Sequence, residues 1–293
     1  MSTARLGPVP QPPKMQLGDL TIKLLDGGEL WLDGGAMFGV IPKPVWSKLV
    51  EVDESNRIPL AMTCALVETG GKRILIETGA GEPLGYGERE RGFFRFRDHW
   101  VLDSLEAAGV ERGSIDYVIL THLHFDHAGG VTMADGHGGH VPTFPNARYI
   151  VQRGEWEDAV NGHAVMRTTY RTENLAPLEE ADVLSLADGR AEIVPGISVT
   201  PMPGHTRYHQ GVVIESGEQR IVQPGDLLPT AAHVGTRYNM GYDLLQHENM
   251  EQKGRLLETA CEAGSLLLLG QDPTDAIRRI EKGSRGFSLA SAL

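Results

Sequence analysis

The sequence predicts an α/β fold in which two stacked β-sheets carry helices on their outer faces. Short apolar runs typical of strands are bounded by glycine-rich turns, such as those at Asp26–Gly28 and Gly70–Gly71. Helical periodicity separates groups of these runs, and strands and helices do not alternate strictly along the chain. Two sheets packed face to face with helices outside is a layered arrangement that buries such strands, although periodicity alone does not determine it.

Two segments have the periodicity of helices. The first helix begins near Asp98, where Val101 and Leu105 recur at helical spacing, and Gly109 ends it. The second helix is predicted at Asn249–Ala263. Strands are predicted at Leu20–Leu25, Leu30–Leu32, Ala61–Glu68, Arg73–Ile76, Tyr117–Leu120, Ala147–Gln152, Glu192–Ile193, Ser198–Pro201, Gly211–Glu215, Arg220–Gln223 and Ser265–Leu269.

Length and composition predict one domain at residues 17–293, after an extended proline-rich arm at residues 1–16. The formal net charge of -12 argues against general nucleic-acid binding. No apolar run approaches the roughly 20 residues of a membrane span, and the first residues lack an apolar signal segment, so a cytoplasmic protein without a membrane partner is expected. The two cysteines, Cys64 and Cys261, are too few and too far apart for a disulfide framework or a cysteine-rich zinc site.

The strongest chemical signal is the run HLHFDH at residues 122–127, directly after a predicted buried strand. Imidazole and carboxylate groups suit zinc, and also iron, nickel or manganese. Side chains alternate along an extended loop, so His122 and His124 can point to one side. Asp126 and His127 lie on the turn that follows and can face a second position. One loop can thus serve two neighbouring metals, whereas a histidine-rich surface loop would rarely have four such groups at this spacing.

One short loop cannot surround a metal, so further ligands are expected from other segments. His205, in the run PGHT, and Asp226, in the run PGD, each follow a predicted strand. An aspartate at such a position can bridge two cations with its two oxygens. Taken alone, His205 is typical of a core histidine and Asp226 of a turn residue, but together with HLHFDH they favour a metal site.

The runs THLHFDHAGG, PGHT and PGD, in this order and at these separations, resemble the metallo-β-lactamase-fold hydrolase superfamily over about residues 20–280. ILIETGAG at residues 74–81 also matches the family, and LDGGAMFGVIPKPVW at residues 32–46 looks like its lactonase and methyl parathion hydrolase branch. The resemblance implies a four-layer αββα sandwich with metals at the sheet edge. It also implies a first metal on His122, His124 and His205, and a second on Asp126 and His127, with Asp226 bridging.

The sequence departs from the family pattern at Gln271. The branch usually has a histidine of the second site there, before Asp-Pro, and a neutral glutamine oxygen is a weaker ligand for zinc-like metals. Either Gln271 or Asp272 substitutes as ligand, or the second site is weak, or it is not used; we expect a weakened site. One or two zinc ions (Zn2+) are therefore predicted, with iron, manganese or nickel as alternatives. His233 and His247 are expected to be structural or to line the pocket.

The resemblance implies hydrolysis by water that the metal activates, without a serine or cysteine nucleophile. Asp126 is expected to orient that water or accept its proton, Asp226 to complete the catalytic centre, and Tyr242 to donate to a developing oxyanion. Tyr208 and Tyr238 are further candidates for that donor. Four residues near the ligand segments are candidates to orient the ligand rings, namely Glu77, Asp116, Thr121 and Thr206.

The early glycine-bounded segment with Met37, Phe38 and Val40 predicts an apolar rim or a homodimer contact. Arg207 is a candidate cation for an anionic substrate group. The favoured function is a metallo-hydrolase of small esters or lactones, such as rings like those of acyl-homoserine lactones. The alternatives are a phosphotriester hydrolase, a mononuclear iron persulfide dioxygenase suggested by the missing histidine, and a degenerate member that binds without catalysis.

Overall fold

The N-terminal half of the chain builds the first sheet. The computed structural model describes residues 11–82, 100–161, 169–284 and 286–292. The strands described in this half are β1 (Lys14–Leu17), β2 (Leu20–Asp33), β3 (Arg57–Thr69), β4 (Lys72–Ile76), β5 (Tyr117–Ile119), β6 (Thr132–Ala134), β7 (His140–Pro142), β8 (Arg148–Gln152) and β9 (Leu184–Ala187). The sheet has the order β1-β2-β3-β4-β5-β8-β9, whereas β6 and β7 pair with each other. Strands β1 to β4 are antiparallel, and β4, β5, β8 and β9 run parallel.

The C-terminal half builds the second sheet. Its strands are β10 (Ala191–Val194), β11 (Ile197–Pro201), β12 (Gln210–Ser216), β13 (Gln219–Gln223), β14 (Leu266–Leu268), β15 (Ile277–Gly283) and β16 (Gly286–Ser291). They lie side by side in sequence order. All neighbours are antiparallel except β13 and β14, which are parallel and are joined by a long helical connection.

Helices cover the outer faces of both sheets. In the described residues they are α1 (Gly34–Phe38), α2 (Lys43–Trp46), α3 (Val101–Ala107), α4 (Phe125–Ala128), α5 (Arg153–Val160), α6 (Thr172–Glu180) and α7 (Gln246–Glu262). Adjacent strand residues face different layers. Leu66 of β3 packs in the cluster of Val101 from α3, while Val67 packs with Ile214 of β12 between the sheets. Val213 packs beneath α7. The predicted four-layer αββα sandwich is therefore confirmed.

Strand β2 differs from its prediction. The strands expected at Leu20–Leu25 and Leu30–Leu32 are one continuous strand, and its register against β3 shifts between Asp26 and Glu29. The glycine pair between them forms a bulge and does not reverse the chain. A Cβ at Gly27 would lie 2.4 Å from a backbone oxygen of β3, so the close approach of the two strands requires glycine there.

Several other element bounds also differ. Strand β1 begins within the segment predicted as an arm (residues 1–16), because Leu17 and its neighbours pair with β2 and pack between the sheets. Helix α3 begins at Val101, and Asp98 lies outside the described residues. The hairpin of β15 and β16 was not predicted. In the described part of the chain no helix is long and apolar enough to cross a membrane.

The segments with the predicted ligands meet at one edge of the sandwich. Strands β4 and β5 are parallel, so Glu77 and the run at 122–127 follow their carboxyl ends at the same edge. Strands β13 and β14 are also parallel, and Asp226 and Gln271 follow their carboxyl ends. His205 lies in the connection from β11 to β12. Each sheet therefore contributes loops to one site.

Candidate metal centre

His122, His124 and His205 converge on one point. One ring nitrogen of each lies within 4.8 Å of the others, and all three side chains are buried. Nε2 of His205 lies 3.0 Å from Nδ1 of His124. Two nitrogens bound to one tetrahedral cation, with bonds of about 2.0–2.1 Å, are separated by about 3.3 Å. The spacing of the His124 and His205 nitrogens is therefore close to that of two ligands on a single cation.

The state of two of these imidazoles, those of His122 and His124, also fits a cation. Nε2 of His122 is buried and has no hydrogen-bond partner in the described chain, although its Nδ1 lies 3.0 Å from Thr121 Oγ1. A buried nitrogen without a partner costs free energy, which a bound cation would remove. Burial, reinforced by neighbouring imidazoles, lowers the pKa of His122 and His124 well below the usual range. Both rings are therefore neutral, which is the form that binds metal.

Asp226 connects this point to a second group, which consists of His122, His127 and Asp226. Its Oδ1 lies 3.1 Å from His127 Nε2 and its Oδ2 lies 3.4 Å from His205 Nε2. Burial alone would raise the pKa of Asp226, but His127 and His205 outweigh burial and lower it. The carboxylate is therefore ionised and reaches both groups of histidines.

Asp126 and Gln271 lie beside this second group. Oδ2 of Asp126 lies 3.5 Å from His127 Nε2. The Gln271 amide donates from Nε2 to Asp126 Oδ2 at 2.7 Å, and the same nitrogen lies 3.3 Å from His127 Nε2. Gln271 Oε1 is buried without a partner in the described residues. Burial, aided by Asp226, raises the pKa of Asp126 even though His127 opposes this shift.

Two carboxylates lie beside the outer nitrogens of two of these rings. Glu77 Oε2 lies 3.3 Å from His127 Nδ1, and its Oε1 accepts from the Thr121 N–H at 2.9 Å. Asp243 Oδ1 lies 2.9 Å from His205 Nδ1. Such partners fix the orientation of a ligating imidazole. Glu77 and Thr121 were predicted for this role, whereas Asp243 lies in a loop that has no recognisable motif.

His209 was not predicted either, although it lies only four residues after His205. Its Nδ1 lies 3.1 Å from Met202 O, and its Nε2 accepts from the backbone N–H of Asp226 at 3.1 Å. Burial and the nearby His205 lower the pKa of His209 to about 3, so the ring is a neutral acceptor. Gly225, at φ +53°, leaves the space for it, since a Cβ there would lie 2.5 Å from His209 Nε2.

A buried carboxylate, Glu155, joins the two histidine loops. Its oxygens accept from the Leu123 N–H at 3.1 Å, the Tyr170 hydroxyl at 2.8 Å and the Thr206 hydroxyl at 2.6 Å. Thr206 thus binds Glu155, and the prediction that it orients a ligand ring was wrong. The same prediction for Asp116 was also wrong. Its carboxylate pairs with the lysine of β4 and accepts a hydrogen bond from a backbone N–H of that strand.

The family model described as Metallo-beta-lactamase superfamily matches residues 57–260. The chain belongs to this superfamily. A probable metal-dependent hydrolase from Staphylococcus aureus is 30% identical, with a TM-score of 0.86 over 95% of this chain and 100% of that one. The dizinc quorum-quenching lactonase AidC superposes with a TM-score of 0.82 over 98% of this chain and 99% of its own, at 18% identity, and supports the fold.

Curated relatives include an N-acyl homoserine lactonase of Bacillus cereus, which is 30% identical over 176 residues. The match covers 57% of this chain and 63% of that lactonase. The structure brings the predicted ligand residues and Gln271 together at one place.

The predicted pocket residues do not gather at one point as the predicted ligands do. Tyr242 is 37% exposed, and burial together with the carboxylates of Asp33 and Asp126 raises its pKa to about 12. The contribution of Asp126 to this shift links Tyr242 electrostatically to the centre. Tyr208 lies against Gly154, and Tyr238 packs edge-on against Phe38, with ring centroids 6.3 Å apart.

Met37 and Phe38 are fully buried core residues, so the prediction that they form a rim was wrong. The flanking glycines suggested a loop, but Gly34 lies against the ring of Trp46. His233 stacks on Phe38 at 4.5 Å and lies 2.9 Å from Met37 O, which is a structural role. The exposed residues among the predicted ones are Val40, Arg207, Tyr208, Tyr242 and His247.

Proposed function

We propose that the chain is a metal-dependent hydrolase of lactones or small esters, with N-acyl homoserine lactones as the first substrates to test. The observation that carries the proposal is the convergence of three buried histidines beside the ionised carboxylate of Asp226. The named lactonases among its relatives support the choice of substrate. A small-molecule substrate also agrees with a centre formed by loops at the edge of the sandwich.

We propose His122, His124 and His205 as the ligands of a zinc ion, with iron, manganese and nickel as alternatives. When bound, such a cation lowers the pKa of water and polarises a carbonyl oxygen. The charged carboxylate of Asp226 lies close to both groups of histidines. The raised pKa of Asp126 makes this carboxylate the better proton acceptor of the two.

Tyr242 is the proposed donor to the leaving oxygen. With a pKa of about 12, its phenol keeps its proton at neutral pH. The residue is 37% exposed, and the carboxylate of Asp126 contributes to its raised pKa, which supports a place for Tyr242 at the open side of the centre. A phenol so placed donates a hydrogen bond where negative charge develops as the ring opens.

The test compares metal-depleted and zinc-loaded protein on a panel of lactones, aryl esters and phosphotriesters. His122→Ala and His205→Ala should abolish turnover, because each removes a ligand of the proposed ion. His247→Ala is the matched control, since His247 is exposed on α7, and it should keep full turnover. Absence of metal-dependent turnover on every compound would overturn the proposal.

A mononuclear iron persulfide dioxygenase is the second candidate, because Gln271 stands where the pattern has a histidine. Oxygen consumption by iron-loaded protein with glutathione persulfide, in place of lactone hydrolysis, would favour it. The cytoplasmic location and the homodimer stay predictions.

A further inference from the structure

The Gln271 amide stands beside Asp126 and His127 at the second group. Its Nε2 lies 2.7 Å from Asp126 Oδ2 and 3.3 Å from His127 Nε2, so it occupies the place of a further ligand next to these two side chains. The side chain is buried, at 3% exposure, so solvent does not compete for these contacts. An NH2 group donates hydrogen bonds and has no lone pair for a metal. In this orientation the amide presents a hydrogen-bond donor, and no ligand atom, to the second group.

We infer that this chain binds one cation tightly, at His122, His124 and His205, and that the hydrogen bond from Gln271 to Asp126 makes the second position weak. The inference rests on the proposed function only in placing the first cation. It differs from the two-metal pattern that the resemblance implies.

The amide has two states with opposite effects on a second cation. In the state described, Nε2 satisfies Asp126 and leaves Oε1 buried without a partner. Rotation by about 180° would offer Oε1 as a ligand, but it would also place two acceptor oxygens 2.7 Å apart. A cation between Asp126 and Gln271 would stabilise that second state. A second ion must therefore break an existing charge-assisted hydrogen bond before it gains its ligand.

An imidazole at residue 271 would not have this conflict. Its neutral ring nitrogen accepts a metal without first donating to a carboxylate. The residues that remain, His127, Asp126 and Asp226, already lie within ligand distances of each other. The single side chain at residue 271 thus determines whether the second position is strong.

The experiment measures zinc stoichiometry by equilibrium dialysis with elemental analysis, and cobalt spectra follow the coordination of each ion. Wild type should bind one ion tightly and a second at least about 100-fold more weakly. Gln271→His should bring the second ion within about tenfold of the first. His124→Ala should remove the tight ion from wild type, which shows where that ion is bound.

Asp126→Asn gives a second measure should Gln271→His fold poorly. It should leave the tight stoichiometry of wild type at one, since Asp126 holds the amide and not a tightly bound ion. Two ions of similar affinity in wild type, or a fall from two to one in Asp126→Asn, would overturn the inference. These readouts do not depend on turnover: one tight ion without lactone hydrolysis supports the inference and contradicts the proposed function, and two tight ions with hydrolysis do the reverse.

Discussion

Removal of the Glu155 carboxylate should destabilise the fold because it joins the loops that carry His124 and His205. Glu155→Ala leaves three buried donors without an acceptor, namely Leu123 N–H and the hydroxyls of Tyr170 and Thr206. Each unsatisfied buried donor costs about 1–3 kcal/mol. Burial raises the pKa of Glu155, so removal of this costly carboxylate offsets part of the loss. The expected net decrease in the free energy of unfolding is about 3–5 kcal/mol.

Denaturant unfolding of the zinc-loaded protein measures this loss. The matched control is Glu157→Ala, because Glu157 is exposed on the same helix, and it should change the free energy of unfolding by no more than about 0.5 kcal/mol. Zinc affinity of Glu155→Ala should fall as well, since both histidine loops lose their common acceptor. A loss of stability below about 1 kcal/mol would refute the reasoning.

Three further predictions test individual contacts. Asp243→Asn should lower zinc affinity about 10–100-fold, because the carboxylate that holds His205 Nδ1 is lost, and equilibrium dialysis measures this. Tyr242→Phe should lower kcat about 100-fold with little change in KM, while Tyr208→Phe should not; equal kinetics for both variants would contradict the donor role. His233 has a folded pKa of about 4, so the unfolded chain binds its proton first and stability falls as the pH drops below about 6.5. The stability advantage of wild type over His233→Gln should therefore shrink by about 2 kcal/mol between pH 7 and pH 5, as measured by denaturant unfolding, and a constant advantage would disprove the assignment.

The residues that the structure brings together at the centre could be predicted where they lie in a motif after a strand. His122 and His124 share one loop, and His205 and Asp226 each occupy a short glycine-containing turn. Their roles as ligands stay a prediction, but their convergence follows from strand ends that meet at one sheet edge. Gln271 was identifiable only as a departure from the family pattern, and its hydrogen bond to Asp126 needed coordinates.

The supporting residues could not be predicted because their partners are distant in sequence. Asp243 reaches His205 from a loop 38 residues away, and Glu155 lies on a short helix with two other acids from which the sequence does not distinguish it. Apolar character misled the prediction for Met37 and Phe38, since close packing around neighbouring glycines buries them. The β2 bulge was missed because a glycine pair favours both a turn and a bulge.

The two halves of the sandwich meet at the centre through different ligands. His122 and His124 extend from the N-terminal sheet, whereas His205 and Asp226 extend from the C-terminal sheet. An ion bound between them would add a cross-link between layers that hydrogen bonds also join at this edge, such as those from Thr206 to Glu155 and from Gln271 to Asp126. It would stabilise the folded chain increasingly as the free ion concentration exceeds its dissociation constant. Chelation should then lower the melting temperature, so that the heat resistance of this protein would report the saturation of its ion.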